Sequence, residues 1–350
     1  MKRIIFFLGF FLGAIYTQAQ TANAVSNGNW NQTSTWDCGC VPDANYDVVI
    51  SGYQVDVTDA QAAKSVLLTD DPGRNTQLDI NNGTLTVSND FTVDVNNDNR
   101  HMDVIIQGTG VLNVMGNVLF DRAINNWRNK RMQLHMTDNA VFNVTGDFDF
   151  IYGDASSNES SYEIWMENNA RINIRGDFNF QQTDDGNDAT LYMEDNSYID
   201  VDGNMLASLD RGDITELLLN NNAVLDVAGN LSLDVERNNA ADRRFNVYLR
   251  NSARLLVGGD LNIYQDRSRD LYFNTYDASA VTVSGDMNIT QNNSNIWFTF
   301  NNSSSVNVGG RVVINKTGGK DLEFILNNSP TVTVGKDFYA ELVLKSTVYF

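Results

Sequence analysis

Residues 170–180 read ARINIRGDFNF. The stretch contains Arg175-Gly176-Asp177, a tripeptide that many cell-adhesion ligands use, yet it is also one copy of a pattern that runs down the chain. VFNVTGDFDF (141–150), YIDVDGNMLA (198–207), VLDVAGNLSL (224–233), RLLVGGDLNI (254–263) and AVTVSGDMNI (280–289) have the same form. The turn position falls at Asn89, Gly116, Gly146, Gly176, Gly203, Gly229, Gly259, Gly285, Gly310 and Lys336, at intervals of about 25 to 30 residues. A fixed period of that size is the mark of a solenoid. Arg175 stands where other copies carry Thr, Asp, Ala, Gly or Ser, and Asp177 is the common Asp/Asn after the turn. The tripeptide is therefore read as a repeat position rather than an adhesion signal.

Stepping back by twos from Gly176 puts Ile174, Ile172, Ala170, Asn168, Met166 and Ile164 on one face, with mostly polar residues between them. Strict alternation is the signature of strands with one buried face. Each copy holds about three short strands: one before a recurring Asn/Asp, one before the Gly and one after it. The expected fold is all-β, a parallel β-helix of about ten rungs with an N-terminal capping segment. At about 4.8 Å per rung the rod would be roughly 50 Å long. No rung can bury its apolar face alone, so the stack forms cooperatively.

Asp138, Asn168, Asp195, Asn221, Asn251, Asn302 and Asn328 share the register of the apolar face. Burying such groups singly is costly. Stacked at a corner, their amides can bond one another as a ladder. The Gly after the third strand is expected to permit the next sharp corner. Asp266 to Asp277 departs from the register by about two residues, so a bulge or loop is expected there.

The chain opens MKRIIFFLGFFLGAIYTQAQ, with Lys2 and Arg3 ahead of a short apolar run. This predicts a secretory signal peptide over 1–19 and a secreted or cell-surface protein. The run is too short to span a bilayer, so no membrane span is expected. The net charge of −20 disfavours nucleic acid as a partner. Residues 20–74 read as the cap and first strands, 75–340 as the rungs and 341–350 as a terminal strand. Cys38 and Cys40, the two cysteines, suit either a local disulfide or an incidental pair near the N-terminus of an exported chain.

Gly28-Asn29-Trp30, Thr35-Trp36, Val41-Pro42 and Asp47-Val48-Val49-Ile50 form a series. It resembles the start of exported β-helical repeat proteins of the Bacteroidota, which are adhesin-like surface proteins. The resemblance covers about residues 26 to 70 and implies surface or secreted placement. On physical grounds the same stretch is a cap, with Trp30 and Trp36 covering the apolar end of the first rung.

Three surfaces are candidates for function. An outward column reads Ile105, His135, Trp165, Tyr192, Leu218, Tyr248, Thr299 and Ile325, with Tyr272 close by. Of these, Trp165, Tyr192, Tyr248 and Tyr272 offer flat faces suited to sugar rings. A basic edge includes Arg128, Arg131, Arg243, Arg244 and Arg267, and Arg pairs well with carboxylate or sulfate. The Asp that follows the turn Gly leaves Ca²⁺ open as a ligand, although supporting the corner backbone is its favoured role and no other cofactor is expected. No segment leaves the repeat for long enough to resemble a catalytic insertion, which weighs against an enzyme. The expectation is a non-enzymatic surface or matrix protein with an adhesive or structural role, its partners polysaccharide or matrix components. The alternative is a carbohydrate-binding or polysaccharide-degrading β-helix. The two readings differ in whether carboxylates and an Arg or Lys converge beside the aromatic column.

Overall fold

The computed structural model describes residues 20–95, 100–123, 132–153, 162–183, 189–210, 214–235, 244–266, 270–342 and 348–349. The chain winds as an all-β solenoid of about eleven turns, bounded by three parallel sheets. The first and second sheets have thirteen strands each and the third has eleven. A typical turn runs Tyr162–Met166 in the second sheet, Arg171–Ile174 in the third and Phe178–Gln182 in the first. Equivalent residues of successive turns face each other, as in Ile164↔Leu191, Ile172↔Ile199 and Phe180↔Ala207.

The alternation explains the core. Ile164, Met166, Ile172, Ile174, Phe178 and Phe180 all point inward and are buried. Because like positions stack, phenylalanines form columns, with Phe148 and Phe178 at 5.2 Å and Phe150 and Phe180 at 5.5 Å between ring centroids. Stacked aromatic contacts of this kind contribute about 0.5–1.5 kcal/mol each beyond the area they bury.

The polar ladder differs from expectation. Asp138, Asn168, Asp195, Asn221, Asn251, Asn302 and Asn328 are not inward residues: each is exposed or half-exposed at the corner between the second and third sheets. All seven have positive φ, between 56° and 62°. Asn82 and Asp277 occupy the same position with φ of 58° and 59°. Asn and Asp tolerate this left-handed conformation better than other side chains. The corner takes up an even number of residues, from buried Met166 to buried Ala170, so the period of two survives a turn that is not strand. The ladder bonds are present: Asn251 donates to Asn221 Oδ1 at 2.8 Å and Asn221 to Asp195 Oδ1 at 3.0 Å. A second amide column runs alongside, with Asn169 donating to Asn139, Asn196 to Asn169 and Asn222 to Asn196 at 3.1–3.2 Å.

Two further findings concern the repeat. The glycines at the other corner are not in the left-handed region; they allow close stacking. A Cβ on Gly229 would meet the Gly203 carbonyl oxygen at 2.5 Å and Asn204 Oδ1 at 2.7 Å. The irregularity expected over Asp266 to Asp277 falls partly on 267–269, outside the described residues; Asp270–Thr275 is a regular strand paired residue for residue with Arg244–Leu249. Asp277 then takes the ladder position.

The two ends differ. At the N-terminus Trp30 and Trp36 are buried, 4.9 Å apart edge to face. Their indole N–H groups donate to the carbonyls of Pro42 (3.3 Å) and Trp30 (2.8 Å). Cys38 and Cys40 are joined by a disulfide in the same segment. At the other end, Leu326, Val332 and Phe338 are exposed around an apolar cavity of about 710 Å³.

Candidate functional site

The outward column of the second sheet is continuous in register. Asp56, Asp79, Ile105, His135, Trp165, Tyr192, Leu218 and Tyr248 each face the next. Alternation sends these side chains away from the core, and parallel stacking brings them one rung apart. His135 and Trp165 lie 5.4 Å apart, and Trp165 meets Tyr192 edge to face at 5.6 Å. All three are half-buried. Trp165 and Tyr192, with Glu163 and Thr190, line a shallow cleft of about 240 Å³.

Tyr272 is not in that column. Tyr248 faces Asn274, and Tyr272 belongs to the neighbouring outward column, between Asn246 and Trp297. There it stacks on Trp297 at 4.6 Å with the ring planes 20° apart. Trp297 escaped the sequence reading because its column is otherwise polar: Gln77, Asp103, Gln133, Glu163, Thr190, Glu216, Asn246 and Glu323.

Burial pushes the phenols of Tyr192, Tyr248 and Tyr272 upward. The carboxylates add to this, since Tyr192 donates its O–H to Glu194 Oε2 at 2.9 Å and Asp270 acts on Tyr272. Tyr248 is also covered by Arg250, whose guanidinium lies 5.3 Å from its ring and 5.9 Å from that of Tyr276. The Tyr192, Tyr248 and Tyr272 rings therefore present neutral faces at neutral pH.

Of the expected basic edge, Arg128, Arg131, Arg243 and Arg267 lie outside the described residues. Arg244 is exposed at the start of its strand, opposite Asp270 in register, and its charge reaches Tyr248 and Tyr272. It lies well along the sheet from the Trp165–Tyr192 cleft. Among the described residues one carboxylate, Glu163, lines that cleft and neither Arg nor Lys does, with the Glu194 carboxylate bonded to Tyr192 beside it. Glu163 itself accepts a hydrogen bond from Gln133 Nε2 at 3.1 Å.

The recurring Asp/Asn after the turn Gly has a backbone role. Oδ1 of Asp90, Asn117, Asp147, Asp177, Asn204, Asn230, Asp260 and Asp286 accepts the N–H of the equivalent residue one turn on, at 2.7–3.0 Å. Where this column ends, the Arg311 side chain pairs with Asp286 at 2.7 Å and holds its carboxyl below the ordinary range. Among the described residues no three His, Cys, Asp or Glu side chains gather to hold a metal ion. No described helix is long and apolar enough to cross a membrane.

Comparison with family models, with curated proteins and with solved structures returns no match for this chain.

Proposed function

We propose that this chain is an exported, non-enzymatic surface or matrix protein that adheres to polysaccharide through the aromatic column of its second sheet. The observation that carries the reading is the in-register series His135, Trp165 and Tyr192, with centroids 5.4 and 5.6 Å apart. A rigid β-scaffold holds these rings with little loss of freedom on binding, which favours affinity. Repetition along the axis suits an extended polymer. The Tyr272–Trp297 stack extends the aromatic surface several rungs further on. Among the described residues the cleft beside Trp165 is lined by one carboxylate and no basic residue, and the neighbouring Glu194 carboxylate is spent on the Tyr192 O–H, whereas glycoside hydrolysis commonly uses two placed carboxyl groups. This favours holding a polymer over cutting it. The leader-like opening of the chain and the N-terminal Trp-containing series support export and surface placement.

The test is retention of the protein on a panel of neutral and acidic polysaccharides, with new reducing and unsaturated ends scored in the same samples. Binding without cleavage supports the reading. Cleavage would overturn its non-enzymatic part, and absence of retention on every polymer would overturn adhesion.

A further inference from the structure

A second concavity, of about 570 Å³, opens beside the N-terminal cap. Its wall brings together Val25 and Asn27 from the cap, Tyr53 from the turn before Gln54–Val57, and Arg74, Asn75 and Gln77 from the next turn. These residues lie about 25 positions apart in sequence and meet because the solenoid stacks them. Among the described residues no Asp or Glu lines the cavity, in a chain with 44 acidic residues and a net charge of −20.

The unspent hydrogen-bonding capacity of this wall is mainly donor capacity. Arg74 is exposed, and its guanidinium lies over the Tyr53 ring at 4.9 Å. Contact through the ring face orients the planar group, and among the described residues its N–H groups pair with no carboxylate. Asn27 spends Oδ1 on the N–H of Gln54 (2.9 Å), and Asn75 spends Oδ1 on the N–H of His101 (3.1 Å). Among the described residues neither NH₂ group has a hydrogen-bond acceptor. Val25, 47% exposed, offers an apolar patch beside them. The turn beneath is fixed: the Gly52 N–H donates to Thr76 Oγ1 at 2.8 Å, and Thr76 in turn donates to the carbonyl of Thr69 at 2.8 Å.

We propose that this cavity binds an anionic sugar, meaning a carboxylate carried on a hydroxylated ring. The Arg74 fork matches a carboxylate with two parallel N–H···O bonds. The Asn27, Asn75 and Gln77 amides reach ring hydroxyls, and Val25 meets the C–H face of the ring. The volume lies within the range of small-molecule sites. The site stands apart from the Trp165–Tyr192 cleft, so each claim can fail without the other.

The experiment titrates D-glucuronate, D-glucose and acetate into the full chain, followed by calorimetry and by amide NMR shifts. Glucuronate is expected to bind about tenfold tighter than glucose or acetate, because neither fragment alone uses both the fork and the amides. Arg74→Gln is expected to weaken glucuronate about tenfold. Asn75→Asp keeps the acceptor for His101 but puts a negative charge in the cavity, and is expected to cause a similar loss. Trp165→Ala is expected to leave glucuronate binding unchanged. Equal affinity for the three probes, no saturable glucuronate binding, or full binding by Arg74→Gln would each overturn the proposal.

Discussion

The Asp177 carboxylate accepts the backbone N–H of Asn204 at 2.7 Å, so the acidic side chain of one turn closes the corner of the next. The same oxygen takes the Asn204 side-chain N–H at 3.2 Å. Asp177→Ala takes the acceptor from those exposed donors and is expected to cost about 0.5–1.5 kcal/mol. Asp177→Asn retains Oδ1 and is expected to cost clearly less. Arg175 is exposed, and Arg175→Ala is expected to leave stability unchanged. Urea unfolding followed by circular dichroism measures all three. Equal losses for the Ala and Asn variants of Asp177 would show that the acceptor does not matter.

Close stacking at the glycine corner makes a second prediction. Gly229→Ala places a methyl group 2.5 Å from the Gly203 carbonyl oxygen, which is backbone and cannot swing away. Overpacking of this kind costs about 1–3 kcal/mol. Hydrogen exchange should then quicken at the corners on either side, around Gly203 and Gly259. Unchanged exchange at both would contradict the close-approach account.

Much of this architecture was legible in the sequence because alternation and a period near 27 residues leave few alternatives. The polar ladder was misplaced for a specific reason. Met166 and Ala170 are both buried and an even number of residues apart, so counting by twos passed through Asn168 without noticing a turn. A left-handed residue leaves no mark on parity; its mark is residue type, and the run of Asn and Asp was that mark. Tyr272 was assigned to the wrong column because the segments joining the sheets vary in length, and the pairing that fixes its register, Asn246↔Tyr272, is not local. The cavity around Arg74 was invisible in sequence, since no two of its three walls are contiguous.

Alkaline titration tests the electrostatics of the third sheet. Burial pushes the Tyr198 phenol up to about 12, and its bond to Asp226 Oδ2 at 2.9 Å adds to the shift. The folded protein therefore holds this proton more tightly than the unfolded chain. The stability it contributes is present below about pH 10, the ordinary phenol value, and is lost as pH rises toward about 12. Tyr198→Phe should remove one late-titrating phenol from the ultraviolet difference spectrum and flatten the fall in stability over that window. An unchanged spectrum above pH 11, about one unit past the ordinary value, would contradict the assignment.

The cap gives a prediction with a direction along the axis. Trp36 is buried, packs edge to face on Trp30 and donates its indole N–H to the Trp30 carbonyl. Trp36→Ala is expected to cost about 3–5 kcal/mol. Because each turn contacts its neighbours, the loss should appear first as faster hydrogen exchange over Tyr46–Ser51 and Gln54–Val57. Uniform loosening along the whole chain would show that the tryptophans do not act as a cap.

The central claim is that the outward ring series of the second sheet is a binding face. The most direct measurement is the dissociation constant for whichever polysaccharide retains the protein, compared between the native chain and the Trp165→Ala, Tyr192→Ala double variant. Both rings face away from the core, so circular dichroism of the variant should match the native chain. The account predicts a loss of about tenfold or more in affinity, about 1.4 kcal/mol per tenfold step. Undiminished affinity in a correctly folded double variant would contradict it.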